Sequence, residues 1–359
     1  MEKNFTAFGR INLIGEHLDY NGGLVLPTTI DLAIHLAIKN STDKYIFSSH
    51  NHVSFSFCLE QDFPTEHAWY QYPLSVLRYL QEKNIALPNG LELNYNSDIP
   101  EGSGLSSSAA ILVVTLKAFN EILNLNWSVQ EIAKIAQFIE NQYIGVNCGI
   151  MDSYVIAHNF HDSALLIDCL HLSHEKIPLP IQEKYKFLIL DTQLPRSLRH
   201  SAYNERRQTC EQALSIIQKH KNILHLAEAD YSDLEFLKDE ILFKRAYHVI
   251  SEQQRVILAA KYLKNNDFVN FGKLMNESHY SLKNYYEVSC EELDFLVVQM
   301  NNQTGCLGAR MTGAGFGGCA IALIDNSFDL NILPDIQNAY YQKFRFYPKI
   351  FIGKEKCFS

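Results

Sequence analysis

Four short segments concentrate side chains that could do chemistry. The first is Pro100-Glu101-Gly102-Ser103-Gly104-Leu105-Ser106-Ser107-Ser108-Ala109-Ala110. Two glycines let the backbone curl tightly and approach a ligand. Three serines then open an apolar helical run, where free N–H groups and the helix dipole favour an anion. Their hydroxyls can bond phosphate or ligate Mg²⁺. The competing reading is a plain helix N-cap. The lysine of the common nucleotide-binding P-loop is absent. The second segment is Gly313-Ala314-Gly315-Phe316-Gly317-Gly318. It fits G-x-G-x-x-G, but the dinucleotide fingerprint needs a helix after it, and a strand-like run (Cys319–Ile324) follows instead. It reads as a tight turn, or as a loop that comes near a ligand or the first glycine loop.

The third segment, Gly9 to Gly23, holds Arg10, Asn12, Glu16, His17, Asp19, Tyr20 and Asn21 beside an apolar strand. Carboxylates and a histidine on one turn can hold several hydroxyls at once, which suits a sugar; a solvated loop with a salt bridge is the alternative. The fourth is Gly145-Val146-Asn147-Cys148-Gly149-Ile150-Met151-Asp152-Ser153. It places a carboxylate within an apolar stretch, as a base or as a turn aspartate.

The elements that must carry these segments follow from periodicity. Ile11–Ile14, Gly23–Leu26, Leu32–Ile38, Tyr45–Ser49 and Leu91–Tyr95 predict strands. Tyr72–Gln81, Ala109–Leu123 and Val129–Tyr143 predict helices, the last with Ile132, Ile135, Ile139 and Tyr143 on one stripe. Lys186–Leu190 predicts a buried strand. Helices are expected over Ser201–His220, Glu252–Leu263, Phe268–Leu282 and Cys290–Gln303, and strands over Gly318–Ile324 and Lys349–Ile352. The change of character near residue 185 predicts two domains, 1–185 and 186–359.

Composition excludes several classes. The 359 residues are 47% hydrophobic and 20% charged, as in a globular protein and unlike a disordered chain. Lys+Arg 31 against Asp+Glu 40 gives a net charge of −9. That balance argues against a nucleic-acid or anionic-membrane partner, since both need positive charge. Eight cysteines form no C-x-x-C pair, so a zinc ribbon or thioredoxin motif is not expected. Residues 1–13 lack the apolar core of a secretory signal. No run approaches the ~18 apolar residues of a membrane span. A cytoplasmic protein, monomeric and acting on small molecules, is expected.

Taken together, the four segments resemble the galactokinase branch of the GHMP small-molecule kinases. Pro100–Ala109 resembles its serine-rich phosphate loop, and Arg10–Pro27 its N-terminal signature. Cys148-Gly149-Ile150-Met151-Asp152 and Arg310–Cys319 match two further motifs. Ser201–Arg207, Arg245–Arg255 and Met275–Cys290 agree as well. The resemblance runs from about residue 7 to the C-terminus.

The resemblance implies an α+β, two-domain GHMP kinase fold. The N-terminal domain would be ribosomal-S5-like and the C-terminal domain ferredoxin-like, with the chain's tail able to pack back on the N-terminal domain. It implies ATP as co-substrate and Mg²⁺ as cofactor. The reaction would be in-line phosphoryl transfer to the C1 hydroxyl of α-D-galactose. Asp152 would be the catalytic base or the group that orients that hydroxyl, and Arg10 would stabilise charge on the phosphoryl group. Glu16, His17, Asp19, Gly149 and Tyr203 would hold the sugar. Gly102, Ser103, Gly104, Leu105, Ser106, Ser107 and Ser108 would cradle the nucleotide phosphates, with Trp69 and Tyr72 lining the adenine pocket. Ser108 and Glu140 would coordinate Mg²⁺.

Three residues depart from the family pattern: Phe8 for a common Pro, Leu18 for a common Thr, and Ser153 for a common Gln. Leu18 and Ser153 flank sugar positions, so a same-branch kinase for N-acetylgalactosamine or arabinose is the alternative. A non-catalytic galactose and ATP sensor is a further one. The complete Ser106-Ser107-Ser108 run, with Arg10, Glu140 and Asp152 present, argues against it.

Overall fold

The computed structural model describes residues 2–64, 68–160, 162–179, 184–194 and 199–353. Cys357 and the rest of the tail lie outside the described residues. Two compact units emerge, and neither is a single stretch of chain. The first comprises Met1–Gly9, Leu32–Glu101 and Ser106–Asn159; the second comprises Arg10–Asp31, Gly102–Leu105 and Phe160–Ser359. The expected cut near 185 is therefore replaced by a division at 159/160, and two functional segments of the N-terminal half group with the C-terminal one. The reason is physical: periodicity along a chain reports local elements, whereas units are set by contacts far apart in sequence.

The first unit is built on a five-stranded sheet. Its strands are β1 (Lys3–Asn12), β3 (Pro27–Asn40), β4 (Tyr45–Ser49), β5 (His52–Phe57) and β6 (Leu91–Ser97), in the order β1-β3-β6-β4-β5; β2 (Leu24–Val25) belongs elsewhere. β4 runs parallel to β6, and the β3–β6 and β4–β5 pairs are antiparallel. Helices α1 (Gln71–Glu82), α2 (Ser107–Ile122), α3 (Val129–Ile139) and α4 (Met151–His158) complete the unit. The strand alternation buries Leu36, Ile38, Phe47 and Leu93, and the helices bury Leu74, Leu77, Val113, Leu116 and Phe119. Tyr95 Oη and Thr115 Oγ1, 2.9 Å apart, tie β6 to α2 within that core. α3 starts at a capping box, Ser128 with Glu131, and carries the expected Ile132–Ile135–Ile139 stripe. It gives way to a π-helical turn over Glu140–Ile144, closed by Gly145. The expected helix to Tyr143 thus changes pitch at Glu140.

The second unit carries two sheets. β7 (Ser163–Asp168) and β8 (Ser173–Pro178) form a three-stranded sheet with β2. β9 (Tyr185–Asp191), β10 (Cys306–Met311), β11 (Cys319–Asp325) and β12 (Lys349–Ile352) form an antiparallel sheet in the order β10-β11-β9-β12. β9 is central, and its continuous apolar run Phe187–Leu190 is buried throughout. The tail's last described strand pairs with β9, in this second unit. The helices are α5 (Arg199–Ile217), α6 (Glu240–Lys264), α7 (Phe268–Ser281), α8 (Glu291–Asn301) and α9 (Leu333–Phe344).

α7 lies against β10 at backbone distance. A Cβ placed on Gly308 would stand 2.0 Å from the Gly272 carbonyl oxygen, and one on Gly272 would stand 2.2 Å from that of Leu307. Neither obstacle is a movable side chain. Gly308→Ala should therefore lower the unfolding free energy by about 3 kcal/mol or more, because overpacking here must shift main chain. Urea unfolding checks this; an unchanged midpoint would show that α7 and β10 do not meet so closely.

Candidate active site

The first unit holds the helix start of the serine loop and Asp152. Ser106 is the N-cap of α2, yet its φ is +64° and its side chain makes no cap hydrogen bond. The hydroxyl instead donates to the Asp152 carboxylate. A capping serine normally satisfies a first-turn N–H. Here that side chain is diverted, so the first-turn amides are left to an anion. A buried serine in the left-handed region is strained backbone of the sort found where a site demands a fixed geometry. Asp152 lies half-buried in the first turn of α4. Ser107 and Ser108 follow on the first turn of α2, part-exposed.

Glu140 opens the π-helical turn and is buried. The Cys148 thiol donates to its carboxylate at 3.4 Å and to Asn141 Oδ1 at 3.1 Å. Gly149 is buried beside this turn in sequence. A hydroxyl at Ser108 and a carboxylate at Glu140 are hard oxygen donors. They fit Mg²⁺, which binds one or two carboxylates together with substrate phosphates and keeps several waters. Among the described residues no cluster of three His, Cys, Asp or Glu side chains offers a cage for another metal. Trp69 donates its indole N–H to the Val53 carbonyl at 3.2 Å, stacks on His52 and meets Tyr70 and Tyr95 edge-on. Tyr72 sits in the first turn of α1.

The second unit holds the rest of the glycine loop. Arg10, 4% exposed, donates from Nη1 to the Gly104 carbonyl at 2.7 Å, and its amide donates to Leu105 at 3.1 Å. The Gly313 loop does come near this first loop: a Cβ on Gly313 would lie 3.4 Å from the Gly104 oxygen and 3.8 Å from Arg10 Nη2. The Cys319 thiol donates to the Ser103 carbonyl at 3.0 Å. The expectation of a loop near the first glycine loop holds; the strand that follows it is β11.

The signature segment folds as a turn after β1. Gly15 takes φ +103°, and a Cβ there would stand 2.9 Å from the Leu24 oxygen. Glu16 is buried, ion-paired with Arg310, and accepts the Gly313 amide at 3.0 Å and the Thr312 hydroxyl at 3.2 Å. Burial pushes its carboxyl pKa up, against the pull of Arg310. His17 Nδ1 lies 2.8 Å from Tyr20 Oη, Tyr20 Oη 2.7 Å from Tyr286 Oη, and Tyr286 Oη 3.1 Å from Cys210 Sγ. The His17 ring also packs against Tyr203 and Tyr286. Burial, with His248 nearby, lowers the His17 pKa to about 3. Asp19 begins a short 3-10 turn and accepts the Tyr20 amide at 3.0 Å. Within the second unit the structure thus brings together Glu16, His17, Asp19 and Tyr203, and within the first unit Ser106 with Asp152.

Leu18 is fully buried, and Ser153 is buried with its hydroxyl donating to the Ile150 carbonyl at 3.2 Å. Both departures from the family pattern are therefore packed into the protein. Sequence reasoning assigned no role to Tyr286, His248 or Glu252. The available signal was His248 and Glu252, polar residues four apart beside buried positions of α6.

Residues 71–159 match the GHMP kinases N terminal domain, 259–341 the GHMP kinases C terminal domain, and 2–40 the galactokinase galactose-binding signature. A galactokinase of Clostridium beijerinckii is 39% identical over 98% of this chain and 92% of its own length. The chain belongs to the galactokinase family. A galactokinase of Staphylococcus saprophyticus is 40% identical over 96% of this chain and 92% of its own. Among solved structures, Lactococcus lactis galactokinase complexed with galactose superposes with a TM-score of 0.90 at 35% identity, covering 98% of this chain and 92% of that one. Methanococcus jannaschii mevalonate kinase gives 0.67 at 25% identity, covering 98% and 97%. The expected GHMP kinase fold is thereby established, and the galactokinase relationship spans nearly the whole chain.

Two buried histidines give this site an acid limit. His17 titrates at about 3 and His248 at about 4 in the folded protein, both lowered first by burial, against an ordinary 6.5. Between those values the unfolded chain binds more protons, so stability falls as pH falls. Stability should drop by on the order of 2 kcal/mol for each histidine, about 4 kcal/mol for the two, from about pH 7.5 to about pH 5. His248→Asn should flatten that slope. Thermal melts across the range check it; a melting temperature that is flat in wild type would contradict the assignment.

Proposed function

We propose that this chain is an ATP-dependent sugar 1-kinase that phosphorylates the C1 hydroxyl of α-D-galactose, releasing galactose 1-phosphate and ADP. The observation that carries the reading is the Ser106–Asp152 hydrogen bond. It ties the cap of a phosphate-loop helix to a carboxylate suited to a sugar hydroxyl, in a chain about 40% identical to galactokinases over nearly its whole length.

The roles we assign follow from chemistry. Asp152 accepts a hydrogen bond from the C1 hydroxyl, orients its oxygen and takes its proton as the new P–O bond forms. Arg10 offsets charge on the transferring phosphoryl group. Gly102, Ser103, Gly104, Leu105, Ser106, Ser107 and Ser108 cradle the nucleotide phosphates, mainly through main-chain N–H groups. Glu16, His17, Asp19, Gly149 and Tyr203 hold the sugar. His17, neutral at physiological pH, acts there as a hydrogen-bonding group and not as a cation. Trp69 and Tyr72 line the adenine pocket. Ser108 and Glu140 are the protein ligands for Mg²⁺, which neutralises phosphate charge when bound with ATP. The setting this implies is a cytoplasmic monomer acting on two small molecules, with neither nucleic acid nor membrane as partner.

ADP release with Mg-ATP, measured against galactose, N-acetylgalactosamine, arabinose, glucose and no sugar, tests the substrate. Galactose should dominate the panel; dominance of another sugar would overturn the substrate, and ATP binding without any turnover would overturn the enzyme. Asp152→Asn should lower kcat by ~10²–10⁴-fold while leaving ATP binding intact. Retention of more than about a tenth of wild-type kcat would remove Asp152 from the role of base.

A further inference from the structure

The sugar signature is held from behind by charges that no motif reading assigned a task. Glu252 on α6 has no solvent exposure. Its Oε1 accepts the Gly15 amide at 2.9 Å and the Ser278 hydroxyl at 2.6 Å, and its Oε2 pairs with Arg255 Nε at 2.7 Å. Arg310 on β10 is equally buried. Its Nη1 donates to the carbonyls of Asn12 at 3.3 Å and Leu13 at 3.1 Å. Its Nη2 pairs with the Glu16 carboxylate and lies 3.9 Å from Glu252 Oε1. One turn before Glu252, His248 Nε2 lies 3.2 Å from the Glu16 carbonyl, while Nδ1 lies 2.9 Å from the Ser281 hydroxyl. A carbonyl can only accept, so Nε2 carries the proton and Nδ1 accepts from Ser281.

Main-chain groups of residues 12, 13, 15 and 16 are thus each bound by a buried side chain, three of the four by a charged one. Charge-assisted hydrogen bonds of this kind are roughly twice as strong as neutral ones, and they fix direction as well as distance. The turn they fix includes Gly15 in the left-handed region and leads directly into His17 and Asp19.

We propose that Glu252, coupled to Arg310, is a positioning residue for the sugar: it sets the main chain of Asn12–Glu16 and through it the placement of His17 and Asp19. This rests on the sugar-kinase reading above. Glu252 touches no substrate; it acts through the turn. Its carboxyl pKa, lowered to about 2 chiefly by Arg255 against the cost of burial, fits an anion that balances the two arginines. Ser278 supports it with a neutral hydrogen bond that can be removed without stranding a charge.

The test compares Glu252→Gln and Ser278→Ala with wild type, varying sugar at saturating Mg-ATP and then Mg-ATP at saturating sugar. Glutamine keeps the shape and can still accept from Gly15, but it no longer balances Arg310. The sugar KM should rise about tenfold or more in Glu252→Gln, as a displaced turn far from the chemistry allows, with the nucleotide KM changed less than about twofold. Ser278→Ala should move the sugar KM in the same direction by a smaller factor. A role in stability alone would lower the melting temperature and the active fraction and leave both KM values unchanged, and that result would overturn the proposal. If Glu252→Gln does not fold, an unchanged sugar KM in Ser278→Ala overturns it equally. Wild type inactive on galactose would instead sink the proposed substrate, and the same comparison is then read on the sugar the panel selects.

Discussion

The second unit depends on a charge that water does not reach. Arg310 has no solvent exposure, so its desolvation has to be offset inside the protein. Glu16, Glu252 and the carbonyls of Asn12 and Leu13 surround it. Each of those groups lies hundreds of residues from Arg310 or on a different element. Their convergence fixes how β1's end, α6 and β10 meet. A hydrophobic cluster could fill the same volume with no desolvation cost, but it would not read individual main-chain groups. Apolar contacts resist separation; they do not dictate where one carbonyl points.

A similar economy governs the serine loop. A helix start is an anion site only if its amides remain unsatisfied. Serine before a helix would ordinarily remove one of them. The structure resolves this by holding Ser106 at φ +64° and turning its hydroxyl to Asp152. One side chain leaves the amides open and gives the carboxylate a fixed partner.

How much of this was legible in the chain varied with the physics of each element. β4 and β12 lie on the expected residues, since both are short alternating or apolar runs. The serine loop, the signature and the Asp152 segment were legible as chemistry. β10 was not expected, because Gly308 and Arg310 are poor strand signals taken alone. Gly308 is there for the backbone approach of α7, and Arg310 for its ion pairs. Only the second half of α6 was expected. Its first half exposes Ile241 and Phe243 while burying Arg245 and His248, which inverts the usual helical pattern. α4 and α9 were missed as well, and so were β5, β7 and β8. The division into units escaped the sequence because Arg10–Asp31 and Gly102–Leu105 owe their place to distant partners, such as Thr312 for Asn12 and Cys319 for Ser103.

The residues that break local rules fall into two groups with different tasks. Phosphoryl transfer asks little covalent chemistry of a protein and much positioning and charge. Some charged groups must meet the ligands. Of the groups proposed for that task, Asp152 and Asp19 are half-buried, whereas Arg10, Glu16 and Glu140 are buried. Others must hold the segments that carry the first group, and those gain from a dry, low-dielectric setting in which a hydrogen bond to charge is strong. Glu252 and Arg310, with no exposure, belong there. Burial does not separate the tasks, since Glu16 and Glu252 are buried carboxylates alike. A sequence shows residue type and hides the partners, so the task of Glu252 and Arg310 emerges only from the fold, although both lie in segments that match the family pattern.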